Sequence, residues 1–180
     1  NAPVSTTHSI VGGVLGAGIA AAGFGLVNWI TMSKIAASWV ISPVFGGIVA
    51  AVLLLFIQIK VFNAEDRIKA SRRWVPILIG LMAGAFSAYM AMKGLKKIWR
   101  PSSIEITFYS LVSFLIFWVI SIPYISSLSK SLTSGKKDVN SLFNLPLILG
   151  VALLSFAHGA NDVANAIGPL AAVVSIVQHD

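Results

Sequence analysis

Long apolar runs separated by short polar clusters dominate the chain. A helix crossing the hydrocarbon core of a bilayer needs roughly 20 mostly apolar residues. Five stretches meet or approach that length. Residues 9–31 carry no charge but include six glycines, and residues 39–59 carry no charge either. The third stretch is 74–92, and the fourth, 104–124, holds a single charge, Glu105, near its start. The fifth, 142–177, is longer and interrupted by polar residues. It is expected to form one or two helical pieces joined at a break. The pattern predicts an all-α fold, a polytopic transmembrane helical bundle with broken or re-entrant helices.

The edges carry their own chemistry. Trp39, Trp74 and Trp99 stand at ends of apolar runs, where amphipathic rings favour the membrane interface. Pro43, Pro76 and Pro123 are expected near span ends, where a missing N–H costs least. Ser102 and Glu105 have the spacing of a capping box, which makes Glu105 a helix-start residue.

Composition narrows the class. Apolar residues make up 57% of the 180 positions and charged residues 11%, with mean hydropathy +0.87. That leaves too little charge to cover a soluble globule, since a soluble domain is roughly one quarter charged. With no cysteine, disulfide scaffolds and thiolate zinc sites are excluded. The net charge of +7 comes from short basic clusters between apolar runs, so no nucleic-acid partner is expected. Loop 60–73 holds Lys60, Arg67, Lys69, Arg72 and Arg73, and loop 126–141 holds Lys130, Lys136 and Lys137. Lys34, Lys93, Lys96, Lys97 and Arg100 fall on the other side of a four-span arrangement. The positive-inside rule then puts the first two loops in the cytoplasm. No catalytic triad, His or Cys ligand spacing or P-loop is present, so an enzyme is not expected, nor a cofactor. The N-terminal residues lack the basic region of a signal peptide, and the chain reads as a segment of a longer protein.

Two polar clusters carry candidate chemistry. Pro3-Val4-Ser5-Thr6-Thr7-His8 precedes a glycine-rich apolar run. Hydroxyl residues favour helix starts, and a helix N-terminus presents free N–H groups and partial positive charge to an anion. Ser5, Thr6 and Thr7 add donors without adding charge, which suits an oxyanion that must be held and released. The same residues also read as an ordinary helix cap, with Gly12 and Gly16 as a helix-packing pair. His8 reads as a structural residue. The second cluster, His158-Gly159-Ala160-Asn161-Asp162-Val163-Ala164-Asn165-Ala166, interrupts the fifth run. On a helix, Asn161, Asp162 and Asn165 share one face, and Gly168-Pro169 is expected to break or kink it. An ionised Asp at the bilayer centre costs about 2.5–3.5 kcal/mol on insertion scales, which marks Asp162 as functional by default. Its carboxylate and the Asn oxygens suit a small hard cation, while the Asn amides can donate to an anion. The cluster can therefore bind a cation, an anion or both, or serve as a polar helix contact with Asp162 protonated or paired to a Lys elsewhere. His158 can orient Asp162, carry a proton or satisfy a backbone carbonyl, and the last is favoured.

Gly159-Ala160-Asn161-Asp162-Val163-Ala164-Asn165-Ala166 resembles the GANDVANA signature of the inorganic phosphate transporter (PiT) family. Pro3-Val4-Ser5-Thr6-Thr7-His8 is similar to that family's PVSTTH motif. The resemblance implies a secondary transporter of two inverted repeats, each carrying a GANDVANA-like motif followed by a PVSTTH-like one, with the substrate site near the midplane at broken helices. Here the order is reversed. Residues 1–126 are then expected to be the latter part of the first repeat, 127–141 a basic inter-repeat loop, and 142–180 the start of the second.

The resemblance further implies cation-coupled symport of inorganic phosphate, with sodium or a proton as coupling ion. Ser5, Thr6, Thr7, Asn161 and Asn165 become the phosphate residues. Asp162, with Asn161 and Asn165, becomes the cation-coupling group, and sodium at Asp162 is the metal candidate. Expected partners are phosphate, membrane lipid, the remainder of the same chain and a second copy in a homo-oligomer, in a plasma or inner membrane. The chain alone, with about half of the site, is expected to be inactive. The competing readings are a carrier of sulfate or of a metal–phosphate complex, and a non-transporting membrane subunit.

Overall fold

The computed structural model describes residues 4–94, 101–133 and 135–179. Pro3, Lys96, Lys97, Trp99 and Arg100, which figured in the motif, charge and edge assignments, lie outside the described residues. All regular structure among the described residues is helical: α1 (Thr6–Ala22), α2 (Trp29–Ile57), α3 (Arg67–Tyr89), α4 (Ser103–Leu128), α5 (Lys136–Ser141) and α6 (Asn144–His179). Four of the helical segments are long and apolar enough to cross a membrane. This is an all-α, multi-pass integral membrane architecture. The chain divides into two compact units, one of Asn1–Ala50 with Phe156–Asp180 and one of Ala51–Ser155.

In the first unit the glycine-rich run is not one span. Ser5 starts α1, its Oγ accepting the His8 N–H at 3.3 Å. The helix stops at Gly23, whose φ of +76° is open to glycine and costly for other residues. The Gly23 N–H closes onto the Ile19 carbonyl at 2.8 Å. A single turn of 3-10 helix, Phe24–Leu26, follows. Asn28 then starts α2 by accepting the Thr31 N–H at 3.0 Å. The expected spans 9–31 and 39–59 are thus a shorter helix and a longer one. The reversal hid in the sequence because its residues are apolar as well, with Phe24 and Leu26 largely exposed. The His8 ring sits on the Trp39 ring at a centroid distance of 3.9 Å. Trp39 is therefore mid-helix, where an edge was expected.

The prolines correct the same way. Pro43, Pro76, Pro123 and Pro169 all lie inside helices. Each removes one N–H, and in membrane helices neighbouring groups and local adjustment absorb that loss. The break expected in the fifth stretch is absent too. α6 runs unbroken for 36 residues through both His158–Ala166 and Gly168-Pro169. A helix bonds its own backbone, so polar side chains do not interrupt it when they find side-chain partners.

The second unit is built on α3 against α4. Without a hydrophobic drive between helices in lipid, close packing and hydrogen bonds hold them together. A Cβ on Gly80 would lie 2.9 Å from the Phe114 carbonyl oxygen, and one on Gly84 would lie 3.0 Å from that of Ser110. Ser113 Oγ donates across the same contact to the Ala83 carbonyl at 3.3 Å. Gly12 and Gly16, by contrast, face open space, so the packing role considered for them is not seen among the described residues. Val75, Ile79, Ile125 and Leu142 form the buried core at one end of this unit. There Arg72 Nε donates to the buried Ser129 Oγ at 2.6 Å, so the two basic loops share one end. Much of both loops is helical, since α3 starts at Arg67, α4 reaches Leu128 and α5 follows. The capping box is present. Ser102 Oγ accepts the Glu105 N–H at 3.3 Å, and Glu105 Oε2 accepts the Ser102 N–H at 2.6 Å.

Candidate functional site

The two polar motifs, about 150 residues apart in sequence, meet within the first unit. The α-helical period puts His158, Asn161, Asp162, Asn165 and Pro169 on one face of α6. The first turn of α1 presents Thr6 and Thr7 to that face. Thr6 Oγ1 donates to Asp162 Oδ1 at 2.8 Å. Asn165 Nδ2 donates to Thr7 Oγ1 at 2.8 Å and, at the limit of hydrogen bonding, to Thr6 Oγ1 at 3.5 Å. Asn161 Nδ2 donates to Thr7 Oγ1 at 3.2 Å. Five of the six residues expected at the site therefore form one network. Ser5 stands apart from it, its side chain turned to the α1 backbone as N-cap.

The bonding pattern fixes what each group has left to offer. Thr7 Oγ1 accepts two N–H bonds, which uses both lone pairs and leaves its proton as a donor. Thr6 directs its proton at the carboxylate. Asp162 spreads its load, with Oδ1 taking the Thr6 hydroxyl and Oδ2 lying 3.4 Å from His158 Nε2. The amide oxygens of Asn161 and Asn165 remain acceptors. The positive end of the α1 dipole lies beside the carboxylate through Thr6, where negative charge is favoured. The Asp162 side chain keeps 39% of its surface exposed, so a ligand can approach it.

Two features differ from the favoured reading of the sequence. Of the alternatives open to His158, the contact present is the one with Asp162 one turn away, not the favoured backbone carbonyl, as i,i+4 spacing on an unbroken helix allows. Pro169 was read as a break. Its chemical effect is narrower. It has no N–H to give the Asn165 carbonyl one turn earlier on the same face, and the helix continues through it. The i−4 relation between the two residues was the available signal. His8 packs on Trp39 and takes no part in the network through its side chain, in keeping with its structural assignment.

An acid, two amides and two hydroxyls thus meet on facing helices of a multi-pass integral membrane chain, and such polar groups are by default candidates for a functional site. The profile of the Phosphate transporter family matches residues 1–180. The chain belongs to that family. It is 47% identical over 173 residues to a Helicobacter pylori (strain J99) protein named as a candidate phosphate permease, covering 96% of this chain and 32% of the relative. It is 31% identical over 200 residues to inorganic phosphate transporter 2-1, chloroplastic, of Arabidopsis thaliana, covering 98% of this chain and 34% of that one. A solved structure described as "The sodium-dependent phosphate transporter" superposes with a TM-score of 0.87 at 36% identity, over 98% of this chain and 43% of that chain. The chain thus spans about a third of the length of these two curated relatives.

Proposed function

We propose that this chain supplies part of a carrier that moves inorganic phosphate across a membrane together with sodium. The observation that carries the reading is the Thr6–Thr7–Asn161–Asp162–Asn165 network in a member of the Phosphate transporter family. Phosphate oxygens take the hydroxyl protons of Thr6 and Thr7 and the amide protons of Asn161 and Asn165. Sodium takes the Asp162 carboxylate and the side-chain oxygens freed when the amides turn to phosphate, all of them hard donors. The ion offsets the charge of the anion, so the loaded site crosses low dielectric at lower cost than either ion alone. Neutral hydrogen bonds contribute about 0.5–1.5 kcal/mol each. Exchanging internal bonds for bonds to phosphate therefore costs little in either direction, and release stays fast. Ser5, as N-cap, positions the Thr6–Thr7 turn.

Sodium is preferred to a proton because carboxylate, hydroxyl and amide oxygens are hard ligands for it and because a similar solved structure is described as sodium-dependent. In the same reading, 1–126 ends one repeat, 127–141 joins the two, and 142–180 opens the next. The isolated chain is then inactive. The test is labelled phosphate uptake by the complete protein, with sodium and pH gradients imposed separately. Uptake should follow the sodium gradient, and Asp162→Asn should lower it more than tenfold at equal expression. Uptake that follows only the pH gradient rejects sodium, and normal uptake by the variant rejects the role of Asp162.

A further inference from the structure

The basic end of the Ala51–Ser155 unit has no part in the phosphate reading, yet it is organised. Lys60, Arg67, Lys69, Arg72, Arg73, Lys130 and Lys137 belong to this part of the unit, with Glu65, Asp66 and Asp138. Two of the three carboxylates are already committed. Asp66 caps α3 by accepting the Lys69 N–H at 2.9 Å, and Asp138 accepts from the Thr133 N–H and hydroxyl. Among the described residues, neither the Lys69 ammonium nor the Arg73 guanidinium forms an ion pair with a carboxylate. The two are exposed and one helical turn apart, so they share a face of α3. The Arg73 guanidinium lies over the Trp74 ring at 5.5 Å from its centroid, and the Trp74 ring meets Phe56 edge-on at 4.9 Å. Directly beyond Trp74 the helix turns apolar through Val75-Pro76-Ile77-Leu78-Ile79. On the α2 side, Leu54, Leu55 and Ile59, which flank Phe56, expose apolar surface.

We infer that Lys69 and Arg73, set beside Trp74, seat the headgroup of an anionic phospholipid at this end of the unit. An interfacial Trp lies at the depth of lipid headgroups, so the cation stacked on it is held where the lipid phosphate lies. Cations near an anionic leaflet attract such lipids, each by about fivefold in affinity. The apolar surface beside Phe56 receives the acyl chains. A nucleic acid or an acidic peptide needs no such apolar neighbour, and a soluble phosphate ion gains nothing from it. The bond from Arg72 to Ser129 ties α3 to the end of α4 and so keeps the seat in place.

The test uses the complete protein in detergent, titrated with phosphatidylglycerol or phosphatidylcholine and followed by native mass spectrometry. Phosphatidylglycerol should be retained preferentially. The double variant Lys69→Gln/Arg73→Gln should weaken that retention about tenfold or more, while Lys34→Gln, a charge loss in the other unit, leaves it unchanged. Equal retention of the two lipids, no difference between the double variant and wild type, or displacement of the lipid by millimolar inorganic phosphate overturns the proposal. A second measurement needs no charge variant: brominated phosphatidylglycerol should quench the fluorescence that Trp74→Phe removes, and brominated phosphatidylcholine should quench it less. Equal quenching also overturns the proposal. Both readouts are independent of transport, so failure here and failure of the symport reading are distinguishable.

Discussion

Replacing Thr7 by valine keeps the shape of the side chain and removes its oxygen. Two amide donors then lose their acceptor, Asn165 Nδ2 at 2.8 Å and Asn161 Nδ2 at 3.2 Å. Hydrogen bonds between membrane helices average about 0.6 kcal/mol and reach about 1.7. The shorter bond belongs near the upper half of that range and the longer one near the bottom. Thr7→Val should therefore destabilise the complete protein by about 1–2 kcal/mol in phosphate-free buffer. Asn165→Ala removes the better of the two bonds from the other side. In a double-mutant cycle of Thr7→Val with Asn165→Ala, the coupling energy should be about 1 kcal/mol. The cycle with Asn161→Ala should give about half as much. Reversible unfolding in mixed detergent, followed by tryptophan emission, supplies the four free energies. Thr7→Ser keeps the oxygen and serves as the near-neutral control. Coupling energies indistinguishable from zero in both cycles would refute the pairing of the two motifs, because independent residues add.

Two further outcomes test the scaffold. Gly80→Ala forces a Cβ to within 2.9 Å of the Phe114 backbone oxygen and should destabilise the α3–α4 pair by about 1–3 kcal/mol, the usual cost of overpacking. Gly12→Ala, with nothing within 4 Å, should be neutral or slightly stabilising in the same unfolding assay. Ser102→Ala removes the acceptor for the Glu105 N–H and should cost about 1 kcal/mol. Ser102→Thr should restore most of that loss, and equal stability of the Ala and Thr variants would count against the cap.

The membrane class and the location of both polar motifs were legible because hydroxyls, amides and a carboxylate stand out within apolar runs. The capping box was legible for a local reason, since Ser102 and Glu105 specify it by spacing alone. Helix limits were less legible. The turn at Gly23 is as apolar as the helices it joins, so hydropathy ran straight across it. Trp39 and Pro43 read as boundary markers on rules that hold where water competes for the backbone. In lipid the helix closes around them. The pairing of Thr6 with Asp162, and of Thr7 with Asn165, could not be read from either motif, because each forms on its own helix face and only tertiary approach selects the partner. His158 shows the opposite case, a local i,i+4 contact present in the spacing but outweighed by a preference for a backbone acceptor.

The bond from Thr6 to Asp162 joins residues 156 positions apart, and this has a bearing on biogenesis. Ribosomes add roughly 5–20 residues per second. The hydroxyls at the start of α1 therefore leave the ribosome about 8–30 seconds before their acid and amide partners are made. Throughout that interval the hydroxyls at the start of α1 lack the acid and amide partners they have in the folded unit. The pairing between the two motifs can form only after the later one has been made.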